Sequence, residues 1–334
     1  MAIMHELSER DILKICYLYY QEEKTQEEIS RLFGVSRFKI SRTLKEAKRK
    51  GYVTITINDP KSDLTEMEIS LANQFGMAQA IVVKINEFSE QTALAQVADA
   101  GAQYLRQIVG NYHIMGVTWG YTVYHVVNHL KPMAVNDLTL VQIAGGLGTI
   151  EGFDNNTLTM MLGQKLGANA HVIPAPIIVR NRSIRDTLFK EQKIQQTLEI
   201  AKKAELVIFG VGMIGTEGML WESGFLTATD TAKLKRAGAV GAICGRFFDA
   251  NGQKCWGELD DRTIGLNLAE LRKIDHKICI AIGREKVPAI LGALRGNLID
   301  VLVTDAKTAA SLLKAGDIEA FKTKHLTSDS AVTS

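Results

Sequence analysis

Residues 25–50, T-Q-E-E-I-S-R-L-F-G-V-S-R-F-K-I-S-R-T-L-K-E-A-K-R-K, leave the chain few local geometries. Thr25, followed three residues later by Glu28, is a capping box: hydroxyl and carboxylate each satisfy a free amide at a helix start. Ile29, Leu32 and Phe33 recur at helical spacing and are expected to bury one face. Gly34 follows, where a left-handed residue ends a helix at little cost. Val35 is expected to pack into the turn, and Ser36 to cap a second helix. In that helix Ile40, Leu44 and Ala47 share one stripe, while Arg37, Phe38, Ser41, Arg42 and Lys45 face away from it. Two short helices joined by such a turn make a helix-turn-helix, whose second helix enters a DNA major groove.

The charge agrees with that reading. Residues 31–50 carry eight basic side chains against one acid, Glu46. Residues 1–61 hold 12 of the 39 Lys and Arg and 9 of the 37 Asp and Glu, a net of +3; the remaining 27 basic and 28 acidic residues give −1. The overall +2 therefore hides a basic head on a neutral body. Nucleic-acid binding needs a local patch of this kind. A solvated amphipathic helix would show the same charge run, but not the cap, the glycine and the apolar stripe together. The expected DNA contacts are Thr25, Gln26, Ser36, Arg37, Phe38, Lys39, Ser41, Arg42 and Lys45. Arg reads guanine bidentately, Ser bonds base edges or phosphates, and Phe38 can touch a thymine methyl.

Upstream, Ser8–Tyr20 reads as a helix with Ile12, Ile15, Cys16 and Tyr19 inward. Downstream, Tyr52–Ile57 alternates as a short strand or wing, and Asn58-Asp59-Pro60-Lys61 reads as a turn at a domain boundary. A chain of 334 residues has room for a second domain with its own core. No apolar run approaches the about 20 residues of a membrane helix, and the first ten residues are not a signal peptide. Cys16, Cys244, Cys255 and Cys279 form no C-x-x-C pair and read as buried free thiols of a reducing cytoplasm.

The body, from about residue 62, begins with a helix over Leu64–Phe75 and a strand over Ala80–Ile85. Further strands are expected at Tyr112–Val117, Leu138–Ile143, His171–Ile173, Leu206–Gly210, Ala239–Gly245, Lys277–Ile282 and Leu298–Thr304, with helices between them at Ala93–Val109, Thr122–Leu130 and Lys286–Arg295. The alternation predicts an α/β fold with a doubly wound, mostly parallel sheet. Several strands end in glycine-rich turns: Gly116-Val117-Thr118-Trp119-Gly120-Tyr121-Thr122, Gly145-Gly146-Leu147-Gly148 and Gly210-Val211-Gly212-Met213-Ile214-Gly215. Ligands of such sheets sit beyond the carboxyl ends of the strands, where glycines and helix starts accept anions. Gly116, Thr118, Gly210 and Gly212 are accordingly taken as effector-site residues.

The third turn matches the dinucleotide fingerprint G-x-G-x-x-G, with Asp230 about twenty residues on. Gly218 and Gly224 argue against the continuous helix the fingerprint needs, so no cofactor is expected. His125 and His129 stand at i, i+4 without a third ligand, and no metal site is expected. No G-x-S-x-G elbow and no Walker loop occurs.

Seven segments in order carry a resemblance: the head stretch through Gly51, G-V-T-W-G-Y-T, V-Q-I-A-G-G-L-G, A-P-I-I-V, V-I-F-G-V-G, G-A-I-C-G-R-F-F-D-A-N-G, and G-R-E-K-V-P-A-I-L-G-A-L-R-G-N-L-I-D-V-L-V-T-D. The chain resembles, over nearly its whole length, the SorC family of bacterial sugar-responsive transcriptional regulators. The resemblance implies a C-terminal domain shaped like sugar-phosphate isomerases but used for sensing, phosphorylated sugars as effectors, and assembly into dimers or tetramers. It also implies that Gly120-Tyr121-Thr122 cradles a phosphate, that Gly145 and Gly146 border the sugar, and that Asn155 or Asn156 bonds hydroxyls. Asp249 would accept from sugar hydroxyls and Lys286 would meet a phosphate or carbonyl oxygen; helix capping and a solvated cation are the plain alternatives for these two. Ser30 replaces the usual Ala of the head, and Ala144 replaces a cation found in some members, implying a less charged or differently shaped ligand.

The expected organisation is a helix-turn-helix domain at 1–58, a linker at 59–63, an effector and oligomerisation domain at 64–325 and a tail at 326–334. The expected function is a non-enzymic, cytoplasmic regulator of a carbohydrate-utilisation operon, with operator DNA and a sugar, polyol or sugar phosphate as partners and no membrane. The alternatives are a sugar-phosphate isomerase or NAD-dependent enzyme with an accessory head, and a constitutive architectural DNA-binding protein, which the size of the body disfavours.

Overall fold

The computed structural model describes residues 7–53, 62–85, 90–148, 155–215 and 218–316. The wing over residues 54–57, the turn at 58–61 and the tail at 326–334 lie outside them. The chain divides into two compact units, Met1–Ser62 and Asp63–Ser334.

The first unit is three helices: α1 (Glu9–Tyr20), α2 (Gln26–Phe33) and α3 (Arg37–Arg49). Each starts on a side-chain cap, from Ser8, Thr25 and Ser36. Gly34 closes α2 in the left-handed region at φ +61°. Ile15, Cys16, Ile29, Ile40, Leu44 and Ala47 form the core, with Ile12, Tyr19, Phe33 and Val35 packed against it. Leu32 departs from expectation: it is 64% exposed. Ile29 and Phe33 already fill the inward stripe of an eight-residue helix, which leaves Leu32 at its edge.

The second unit opens with α4 (Ser62–Phe75), β1 (Gln79–Val83), α5 (Glu90–Ile108), β2 (Ile114–Val117), α6 (Tyr121–His129) and β3 (Thr139–Gln142). It continues through α7 (Asn155–Leu166), β4 (Asn169–His171), α8 (Arg182–Leu188), α9 (Gln192–Ala201) and β5 (Leu206–Gly210). Then come α10 (Met219–Glu222), α11 (Ala228–Arg236), β6 (Ala239–Ile243), β7 (Arg246–Asp249), α12 (Gly257–Asp260) and α13 (Leu268–Arg272). The last are β8 (His276–Ile280), α14 (Val287–Arg295) and β9 (Val301–Asp305), followed by helical residues 306–316.

Seven strands form one sheet in the order β1-β9-β8-β5-β2-β3-β4, and every pair in it is parallel. Both faces of the inner strands are buried, so β2 and β5 are apolar throughout, while polar residues stand at the ends of β8 (His276, Lys277) and β9 (Thr304, Asp305) and in the edge strands β1 and β4. Val207 and Phe209 enter one core while Leu206 and Ile208 enter the other, the period of two expected of a strand between two helix layers. The chain leaves β2 towards β3 and β4, then crosses to the other side of β2 with β5. That reversal between β2 and β5 is the switch point at which an open α/β sheet leaves a crevice.

Two expected strands are placed differently: β4, at Asn169–His171, lies two residues before the expected His171–Ile173, and the strand expected at Ala239–Gly245 leaves the sheet. Residues 239–243 do not join the parallel sheet but pair antiparallel with β7, a strand that the alternation alone did not reveal. Cys244 and Gly245 make the two-residue turn, at φ +54° and +71°, the positive values a tight hairpin needs.

Candidate functional site

In the first unit the capping residues and the exposed face separate cleanly. Thr25 Oγ1 accepts from the Glu28 amide at 3.3 Å, and Glu28 Oε2 accepts from the Thr25 amide at 2.8 Å. The Thr25 amide's bond to Oε2, with a second that the Thr25 hydroxyl donates to the same oxygen at 2.8 Å, holds the Glu28 carboxyl below its ordinary range. Ser36 Oγ accepts from the Lys39 amide at 3.2 Å. Thr25 and Ser36 thus hold helix starts, and Gln26 is half-buried. Arg37, Phe38, Lys39, Arg42 and Lys45 are exposed and Ser41 is half-buried, opposite the buried stripe of Ile40, Thr43, Leu44 and Ala47. The cations at the other end of α3, Arg49 and Lys50, pair with Glu46. None of Arg37, Lys39, Arg42 and Lys45 forms a salt bridge with a described residue. The positive end of the α3 dipole adds to this cluster. The Ser30 hydroxyl donates to the Val35 carbonyl at 2.5 Å and ties the turn shut, a bond that Ala could not make.

In the second unit a cavity of about 1060 Å³ opens at the carboxyl ends of β2, β5, β8 and β9. Gly120, Tyr121, Thr122, Gly210, Gly212 and Lys286 line it, as the sequence reading expected. So do Trp119, Met213, Trp221, Glu222, Arg284 and Lys307, which that reading did not single out. Trp119 and Met213 lie within glycine-rich turns already noted, and Arg284 stands beside Lys286 in G-R-E-K; the lining role of Trp221, Glu222 and Lys307 depends on strand order rather than on a local motif.

Four helix starts meet the cavity, and their chemistry differs; α10, of only four residues, begins on Gly218 with no side-chain cap. Helical residues 306–316 begin on Asp305, whose Oδ1 accepts from the amides of Lys307 (2.8 Å) and Thr308 (3.0 Å). Thr308 donates its hydroxyl proton to Asp305 Oδ2 and accepts from the Gly283 amide at 3.0 Å, so β9 is tied to the loop after β8. The Asp305 carboxylate is thus occupied by protein donors. The loop after β8 makes a single 3-10 turn, Arg284–Lys286, before α14. The α6 start has no side-chain cap; Gly120 stands there at φ +157°. Its first-turn amides can serve an anion. Charged side chains along the cavity balance, Arg284, Lys286 and Lys307 against Glu222, Glu285 and Asp305. The charges along the cavity therefore sum to zero, and the α6 start and the three cations are its electropositive features.

The other expected effector residues lie elsewhere. Gly116 sits inside β2, where a Cβ would come within 2.7 Å of Ile143 Cγ2. Thr118 is buried behind the cavity wall, with its hydroxyl 3.4 Å from the Trp119 carbonyl and bonded to the Cys244 thiol. Burial pushes that thiol up to about 12. Gly145 and Gly146 form a crossing of loops. The Gly145 carbonyl accepts from Trp119 Nε1 at 3.1 Å, the Gly146 amide donates to the Ala175 carbonyl at 2.8 Å, and a Cβ on Gly145 would lie 2.7 Å from the Pro176 carbonyl oxygen. Ala144 is buried and bridges Gly265. Asn155 begins α7, and Asn156 Oδ1 accepts from Gln142 Nε2 at 3.1 Å.

Asp249 ends β7, and its Oδ1 accepts from the Asn251 and Gln253 amides, both at 2.9 Å. It closes a turn and does not line the cavity. The G-V-G-M-I-G turn leads into no long helix: residues 211–215 are non-helical and α10 has four residues. Asp230 belongs to the capping box of α11 and meets Arg262 at 3.3 Å. His129 Nδ1 lies 2.8 Å from the His125 carbonyl, a contact within α6. Among the described residues no helix is long and apolar enough to cross a membrane.

The Sugar-bind family model, that of a sugar-binding domain, matches residues 59–314. The chain is 33% identical over 298 residues to the deoxyribonucleoside regulator of Bacillus subtilis (strain 168), spanning 89% of this chain and 95% of that one. It is 32% identical over 309 residues to the sorbitol operon regulator of Klebsiella pneumoniae, spanning 91% and 98%. The crystal structure of full-length SorC from Klebsiella pneumoniae matches with a TM-score of 0.72 at 31% identity, over 91% of this chain and 98% of that chain.

Proposed function

The chain belongs to the SorC-type family of transcriptional regulators with a sugar-binding domain, and from that premise we propose that it is an intracellular, homo-oligomeric switch whose operator affinity is set by a phosphorylated sugar or polyol. The exposed, unpaired cations on α3 carry the DNA half of this reading. A single helix-turn-helix makes few phosphate contacts, so two heads on two half-sites are needed, which favours a dimer or tetramer. The uncapped α6 start in the switch-point cavity supports the effector half. A phosphate would sit over Gly120, Tyr121 and Thr122 within reach of the cavity cations, and the polyhydroxylated part would lie along the tryptophan-bearing wall. The relatives are named for sorbitol and for deoxyribonucleosides, and both names point to hydroxylated ligands of this size.

Effector binding changes operator affinity through a coupling of about 1–3 kcal/mol, a five- to 150-fold change. The test is a thermal-shift screen of free and phosphorylated sugars and polyols, followed by gel shifts with and without the stabilising ligand. A ligand that raises the melting temperature and moves the DNA affinity supports the reading. Turnover of any of these compounds above about 1 per second would instead make the protein an enzyme.

A further inference from the structure

We propose that Phe38 reads the 5-methyl group of one thymine in each operator half-site, one or two base pairs from a guanine met by Arg42. This rests on the DNA-binding reading above. Among the described residues Phe38 is the most exposed large apolar side chain, at 79%. It stands at the second position of α3, and the core of the three helices is complete without it. Its neighbours on the helix surface are Ser41 and Arg42, and the exposed Arg37 and Lys39 flank it in the chain, so whatever covers the ring also meets a cluster of cations.

An apolar protein groove would match the ring but not the surrounding cations. A single ring is too little for a membrane surface. The major groove of DNA matches both, because it joins phosphates to one apolar feature, the thymine methyl. The N-terminal residues of a recognition helix are those that contact base edges, and Phe38 is among them. Phe38 and Arg42 are four residues apart, which puts their Cβ atoms about 5–6 Å from each other on one face. Base pairs rise by about 3.4 Å, so the two side chains meet bases about one to two steps apart.

The test starts from an operator selected out of random duplex DNA by the full-length protein. Each thymine is then replaced in turn by deoxyuridine, which removes only the methyl group. The wild-type protein is expected to lose about three- to fivefold in affinity at one thymine per half-site, the transfer value of one methyl. Phe38→Ala is expected to bind the thymine and uracil operators equally, and to keep the wild-type salt slope and melting temperature. A wild-type scan with no sensitive thymine overturns the proposal, as does a Phe38→Ala protein that keeps the same uracil penalty. A sensitive thymine more than two base pairs from every guanine whose recognition depends on Arg42 overturns the spacing. If selection enriches no sequence at all, the regulator reading itself fails first.

Discussion

Replacing Asp249 by Ala separates the two roles open to that carboxylate. The resemblance to sugar-responsive regulators gives it a sugar hydroxyl to bind. The geometry gives it two backbone amides, those of Asn251 and Gln253, each donating at 2.9 Å to Oδ1. A backbone pair, from the Asp249 amide to the Gln253 carbonyl at 2.9 Å, closes the same turn. Hydrogen bonds to a charged acceptor contribute about 1.5–3 kcal/mol, and loss of a helix-cap acceptor costs about 0.5–2 kcal/mol. Asn251 and Gln253 are exposed, so water replaces much of what the variant loses, and the lower part of those ranges applies. The expected loss is about 1–2 kcal/mol, or roughly 2–8 °C in melting temperature for a unit of this size. The effector should bind the variant normally, because Asp249 does not line the cavity. The assay compares melting temperatures with and without effector. At a hundredfold excess over Kd a ligand stabilises its native state by about 2.7 kcal/mol, and that increment should be equal in both proteins. A variant that melts like the wild type but gains nothing from the effector would refute the turn-closing role and place Asp249 on the sugar.

Three further outcomes follow from the geometry. Gly210→Ala puts a methyl 2.7 Å from Thr122 Oγ1 and should weaken effector binding by about 1–3 kcal/mol, read by calorimetric titration; unchanged affinity would remove Thr122 from the anion site. Arg42→Ala should weaken operator binding and reduce the slope of log K against log salt by about 1 if the side chain meets a phosphate; an unchanged gel shift counts against the placement of α3 in the groove. His276 is held below its ordinary pKa chiefly by burial, although Asp300 pulls it upward, and His125 is lowered by burial as well. Both are therefore more easily protonated in the unfolded chain. Their contribution to stability is present above about pH 6.5 and is lost as pH falls towards their folded values, so the urea midpoint should drop between pH 7 and 5; a flat midpoint contradicts the burial argument.

What could be read from the sequence, and what could not, divides along the range of the interaction. The starts of α2 and α3 were legible because a cap is satisfied within three residues, and the inner parallel strands because burial on both faces leaves them mostly apolar. The three glycine-rich turns looked alike, yet only two of them line the cavity. The turns after β2 and β5 do so because these strands are neighbours at the point where the winding reverses. The turn after β3 lies one strand further out and is filled by the loop carrying Ala175 and Pro176. Strand order joins residues more than ninety positions apart, as when the Gly116 strand pairs with Val207, and no local spacing records it. Asp249 shows the converse. Its segment F-F-D-A-N-G matches a family pattern, but an Asp two residues before an Asn and four before a Gln can close a turn unaided, so the pattern alone does not distinguish a binding carboxylate from a structural one. The α6 start differs from both. Its cap is a glycine with no side chain to offer, and, unlike the four-residue α10, which also starts on a glycine, it is a nine-residue helix that follows β2 at the winding reversal. A free helix start at the switch point is therefore the element of the body that best combines local sequence with topology, and it is where loss of ligand binding by mutation should concentrate.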